Sequence, residues 1–216
     1  MNLTKLFETQ RILDARIMEK HLELVGQNNI EWKILALQVE LAECANEWRG
    51  FKKWSNDQEP RLNKKVECFV CDGTGDENFE FVQEDAEGNG GHEYIHCENC
   101  EGTGYDGTMN PLLVEYVDCL HFILSIGIEI NKTSKNDLSG IRYPESTDES
   151  ESFTKDDVIA TFSHVFKNTW NVHADYRFLV AEFMRLGNML GFTWEQIEQA
   201  YYDKNAINHT RQDTGY

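Results

Sequence analysis

The chain has 216 residues, 40% of them hydrophobic, which is enough for one core of ordinary size with a small appendage. Its formal charge of −18 at pH 7 argues against non-specific binding to nucleic acid. A small anionic substrate is still allowed, because a bound divalent cation reverses the local sign.

No uninterrupted run of 18 apolar residues predicts a membrane span, and Met1 to Glu8 lacks the pattern of a signal peptide. A cytoplasmic protein is expected, so its six cysteines read as ligands or thiols. From Leu3 to about Leu24, Leu3, Leu6, Phe7, Ile12, Leu13, Ile17, Leu22 and Leu24 recur at three- and four-residue steps and predict an amphipathic helix. After the Asn28-Asn29 turn, a second helix from Glu31 to about Trp48 carries Trp32, Ile34, Leu35, Leu37, Val39 and Leu41. So apolar a helix is expected to be buried on most sides. Glu40 and Glu43, one turn apart within it, need partners if they point inward.

Residues 56–109 read as an insert rich in Gly, Asp, Glu and Asn. It contains Cys68-Phe69-Val70-Cys71-Asp72-Gly73-Thr74-Gly75 and its echo Cys97-Glu98-Asn99-Cys100-Glu101-Gly102-Thr103-Gly104. Two such knuckles offer four thiolates, Cys68, Cys71, Cys97 and Cys100, to one tetrahedral Zn²⁺ that supplies the folding free energy of a coreless segment. The pattern resembles the knuckles of the cysteine-rich region of heat-shock co-chaperones, with two instead of four. Four protein ligands leave no open position, so the zinc is expected to be structural, with His92 and His96 as spare candidates.

Helical periodicity resumes at Pro111 and carries a second acidic pair, Glu115 and Asp118, in an otherwise apolar run to Ile128. Side by side, the two helices would gather Glu40, Glu43, Glu115 and Asp118, an arrangement that calls for a hard cation such as Mg²⁺ or Mn²⁺. Cys44 and Cys119 each follow one of these acids, point about 100° away from it, and read as small buried hydrophobes. Residues 131–152, including the acidic stretch 145–151, predict a solvated loop.

Thr154 with Asp157, and Thr193 with Gln196, have the form of helix-capping boxes, and a further helix runs from Ala174 to Leu190. In the final stretch, Lys204, Asn208 and Arg211 fall on one helical face, with Asn205, Asn208 and Gln212 beside them, a face suited to gripping polyphosphate. No sustained strand pattern exists outside the insert. The body, residues 1–55 with 110–216, is therefore expected to be all-α.

Glu40-x-x-Glu43, Glu115-x-x-Asp118 and the ending Lys-Asn-x-x-Asn-x-x-Arg-Gln-x-x-Gly-Tyr look like the dimeric dUTPase family of the MazG-like all-α NTP pyrophosphohydrolases. Gln10 to Asp14, Asn46 to Ser55 and Glu115 to Phe122 fit too. The resemblance implies a helical bundle that hydrolyses dUTP to dUMP and pyrophosphate, with two or more Mg²⁺ ions held by Glu40, Glu43, Glu115 and Asp118. It implies that Glu43 orients the attacking water and that Lys204, Asn205, Asn208, Arg211 and Tyr216 hold the phosphates. It also implies that Phe122 faces the base, that Gln10 hydrogen-bonds it, and that the protein is a homodimer through its apolar helices.

Other readings stand beside these. Phe122 is equally a core aromatic, Gln10 a solvated surface residue, and His121, His164 and His173 structural. For the whole chain, the alternatives are a related enzyme for dCTP or a non-standard nucleotide, or a zinc-ribbon interaction module on an inactive scaffold. The insert itself departs from the plain family pattern.

Overall fold

The computed structural model describes residues 2–79, 93–131, 137–144 and 153–215. The chain divides into two compact units, Met1–Pro60 with Leu112–Tyr216, and Arg61–Pro111. The acidic stretch 145–151, His92 and Tyr216 lie outside the described residues.

The larger unit is helical. Helices α1 (Leu3–Lys20), α2 (Ile30–Trp48), α3 (Pro111–Glu129), α4 (Lys155–Asn168), α5 (Val172–Met189) and α6 (Trp194–Thr214) build it, with α1 beside α6 and α4 beside α5. The first helix stops at Lys20, before the expected Leu24: His21 caps it, and Leu22–Leu24 form a short 3₁₀ turn. Both expected capping boxes are present, with Thr154 and Thr193 accepting from the Asp157 and Gln196 backbone N–H groups and the two side chains answering in return.

The apolar α3 is long enough to cross a membrane, but its surface goes into the core instead. Eleven of its nineteen residues are buried. Two mirrored contacts lock it to α5. The Tyr116 hydroxyl of α3 donates to the Phe183 carbonyl at 2.9 Å beside Gly187, and the Tyr176 hydroxyl of α5 donates to the Ile123 carbonyl at 2.9 Å beside Gly127. Each glycine sits four residues past the carbonyl that accepts, and its missing side chain is the space the phenol occupies.

Cys44 and Cys119 are fully buried in this core, as small hydrophobes. The expectation that α2 is buried on most sides fails. Leu37, Leu41, Cys44 and Trp48 face the core, while Trp32, Leu35 and Val39 form an exposed apolar stripe at i, i+3 and i+7. The pattern was apolar on two faces, and within this chain only one is covered.

In the smaller unit, β1 (Lys64–Glu67) pairs antiparallel with β2 (Tyr105–Met109), Lys64 opposite Met109, with an irregularity between Lys65 and Glu67. Its two knuckles are duplicates. Gly75 N–H bonds Cys71 Sγ and Gly104 N–H bonds Cys100 Sγ, while Cys68 N–H reaches the Gly104 carbonyl and Cys97 N–H the Gly75 carbonyl. A Cβ on Gly104 would sit 2.2 Å from the Gly73 carbonyl oxygen, and φ there is +78°, so this position requires glycine.

Candidate active site

The core phase of α2 and the polar stripe of α3 decide where the acids fall. Carboxylate oxygens of Glu40, Glu43 and Glu115 lie within 4.8 Å of one another, with Glu43 the exposed member. Burial first, and the neighbouring carboxylates of Asp118 and Glu43 next, push Glu40 and Glu115 up to about 7. Asp118, one turn along α3, is outside that trio and receives the Lys204 ammonium of α6 at 2.5 Å. Its carboxyl is raised by burial, with Lys204 opposing the shift. Three oxygen donors crowded to this degree against their own repulsion fit a hard divalent cation.

Next to the acids, a cavity of about 380 Å³ opens among α1, α2, α3 and α6. Glu40 and Asp118 mark one side, and Asn208, Arg211 and Gln212 supply the cationic and amide groups expected of the last helix. Lys204 is spent on Asp118, and Asn205 turns inward, 6% exposed, its Nδ2 without a hydrogen-bond partner. Phe122 does both things weighed for it: it packs against the core and lines the cavity.

Gln10 is not a solvated residue. It is 3% exposed and lines the cavity. Its Oε1 accepts from the Tyr201 hydroxyl at 2.9 Å and meets His121 Nδ1 at 2.8 Å, and its Nε2 donates to Asp14 Oδ1 at 2.8 Å. Ser125 Oγ–H donates to Asp14 Oδ2 at 2.7 Å, and the buried Lys33 lies 3.8 Å from that oxygen and 3.0 Å from Glu129.

His121 is buried against Tyr201, their rings stacked 4.2 Å apart, and it lines the cavity with Nε2 unpartnered. Burial, then the Lys204 charge, push its pKa down to about 3, so the ring is neutral. His121 is a buried, hydrogen-bonded residue, as its structural reading expects, and also lines the cavity; Lys33 is a cavity residue that the sequence analysis does not name. Helical phase was the available signal, since Lys33 shares the core stripe of Leu37, Leu41, Cys44 and Trp48. His164 does not line this cavity: its ring faces Glu182 at 3.9 Å.

In the smaller unit all four knuckle cysteines are buried together. Cys68 and Cys97 sulfurs are 3.9 Å apart, and those of Cys71 and Cys100 are 3.7 Å apart. A tetrahedron with metal–sulfur bonds of about 2.3 Å has edges of about 3.8 Å, so the set fits zinc. His96 pairs with Asp76 in a backbone bridge and is not part of the cluster.

A family model for dUTPase matches residues 2–73 and 104–216, leaving out a stretch inside the smaller unit. Comparison with curated proteins and with solved structures gives no match. Enzymes of this kind use divalent metal and bind a nucleotide, as the acid cluster and its adjoining cavity allow. With all the acidic and cationic positions of the site inside the matched segments, the chain belongs to the dUTPase family and is a nucleoside triphosphate pyrophosphohydrolase, a dUTP diphosphatase.

Proposed function

We propose that the chain hydrolyses dUTP to dUMP and pyrophosphate with Mg²⁺ held by Glu40, Glu43, Glu115 and Asp118. The observation that carries this is the crowded Glu40, Glu43 and Glu115 cluster beside a cavity that ends in Asn208 and Arg211. When bound, Mg²⁺ activates the attacking water and neutralises charge developing on the phosphates.

Glu43, the exposed acid, orients that water and accepts its proton. Arg211 and Asn208, which line the cavity, hold the phosphate chain, with Lys204 kept beside it by Asp118 and Tyr216 as a further contact. Phe122 stacks on the base, while His121 and Gln10 close the inner end of its pocket. Cys68, Cys71, Cys97 and Cys100 hold a structural Zn²⁺. The exposed stripe of Trp32, Leu35 and Val39 is the face for a second copy of this chain in a homodimer. A cytoplasmic setting, which keeps the thiols reduced, completes the reading.

The test is pyrophosphate release from a panel of dNTPs and NTPs, with Mg²⁺ and then EDTA, for the native enzyme and for Glu43→Gln. Selective, metal-dependent cleavage of dUTP that Glu43→Gln abolishes, with folding and zinc content intact, is expected. Unchanged hydrolysis by Glu43→Gln would remove the metal-site assignment.

A further inference from the structure

We propose that Asn99 is an outer partner of the zinc site, whose side-chain NH₂ donates to the Cys68 thiolate and slows the loss of the metal. This rests on the zinc reading above. The two knuckles repeat with an offset of 29 residues, and their contacts agree almost bond for bond. Gly73 N–H meets the Cys68 carbonyl at 3.1 Å, and Gly102 N–H meets the Cys97 carbonyl at 3.0 Å. Gly75 and Gly104 N–H groups reach Cys71 and Cys100 Sγ at 3.1 and 3.2 Å.

The duplication breaks at one position that touches a sulfur. Asn99 Nδ2 lies 3.3 Å from Cys68 Sγ and 2.6 Å from Asp106 Oδ1. The matching residue of the first knuckle is Val70, which has nothing to donate. Among the described residues, no side chain outside the cluster donates to Cys97.

The amide has one orientation. Asp106 is a carboxylate and a metal-bound sulfur is a thiolate, so both neighbours accept. Only the NH₂, with two hydrogens, serves both at once. Four thiolates outweigh the charge of one Zn²⁺, and a donor aimed at one of them offsets part of that excess. Such outer contacts also hold the ligand in its bonding direction, and losing one costs about 10–100-fold in metal affinity.

The broken symmetry supplies the test. Full-length protein is loaded with zinc, and transfer of the metal to a chromophoric chelator is followed for the native chain, Asn99→Val, and Val70→Asn combined with Asn99→Val. Asn99→Val should release zinc about tenfold faster. The double swap moves the donor from Cys68 to Cys97 and should recover most of that loss. Glu77 stands where Asp106 stands in the other knuckle, so a carboxylate is already in place beside the new amide. A role for Asn99 in packing, or in tying β2 through Asp106, would not be rescued from the opposite knuckle.

NMR of the native protein gives a second reading that needs no variant. With a magnetic cadmium isotope in place of zinc, the Asn99 side-chain amide should show scalar coupling to the metal across its bond to Cys68. The Gly75 and Gly104 amides should couple through Cys71 and Cys100. Unchanged zinc release by Asn99→Val overturns the proposal, as does a double swap no slower than Asn99→Val alone. So does an Asn99 side chain with no coupling to cadmium while the two glycines couple. A native chain that takes up neither metal overturns the zinc reading itself, and the proposal falls with it.

Discussion

Removing one negative charge from the acid cluster should stabilise the metal-free protein while destroying its activity. Glu40→Gln is the perturbation. The pKa values of Glu40 and Glu115 sit at about 7 in the folded chain, against about 4.3 for an ordinary glutamate. Between those values the folded protein retains protons that the unfolded chain has released. Stability is therefore full below about pH 4.3 and is lost as pH rises through 7. At face value each acid costs about 3–4 kcal/mol at pH 8. Both are half-buried and their mutual repulsion is counted twice, so about 2–3 kcal/mol for the pair is reasonable after solvent screening. For a unit of this size that corresponds to roughly 5–10 °C in Tm.

The assay is thermal unfolding by tryptophan fluorescence in metal-free buffer at pH 5 and pH 8. All five tryptophans, Trp32, Trp48, Trp54, Trp170 and Trp194, belong to the helical unit, so the signal reports on the unit that holds the acids. Glu40→Gln should melt several degrees above the native protein at pH 8 and beside it at pH 5. Mg²⁺ should raise the native Tm at pH 8 and do little for the variant. A Glu40→Gln protein that melts at or below the native one at pH 8 would refute the crowding argument.

Lys204→Met, which takes the ammonium from Asp118, should lower kcat/KM for dUTP about a hundredfold, and a loss under about threefold would take Lys204 out of the site. Gly187→Ala or Gly127→Ala, substitutions that helix propensity alone would favour by about 1 kcal/mol, should instead cost about 2–4 kcal/mol in denaturant unfolding. Their new Cβ atoms would meet the Tyr116 and Tyr176 hydroxyl oxygens at 2.4 Å and 2.1 Å. Thiol titration should find Cys68, Cys71, Cys97 and Cys100 reactive once a strong chelator removes zinc, with Cys44 and Cys119 protected until the helical core unfolds; six thiols reacting together would contradict this separation.

The parts of this protein legible in its sequence are those written as local repetition. The capping boxes at Thr154 and Thr193, the duplicated knuckles and the i,i+3 acid pairs are each complete within eight residues. What escaped depends on pairing across the chain. Gln10 looked like a surface amide because its partners, His121 and Tyr201, are 111 and 191 residues away. Asp118 was grouped with the other three acids, and only the packing of α6 shows that its charge is answered by Lys204, 86 residues on. Trp32, Leu35 and Val39 were assigned to the core because sequence hydrophobicity does not say which of two apolar faces the same chain covers.

The helical unit answers its buried charges unequally, and the inequality marks the site. Lys33 serves Asp14 and Glu129, and Lys204 serves Asp118. Glu40 and Glu115 feel Lys204 only as a lesser opposing charge, and burial pushes both up to about 7. A folded chain that supplies cations to its other inward acids, yet leaves Glu40 and Glu115 crowded beside Glu43, fits a divalent cation there. The same α3 stripe continues from Glu115 and Asp118 through His121 to Ser125 and Glu129, from unanswered charge to fully answered charge. Under the proposed function that order follows a nucleotide, with metal and phosphate at the crowded acids and the base further along α3.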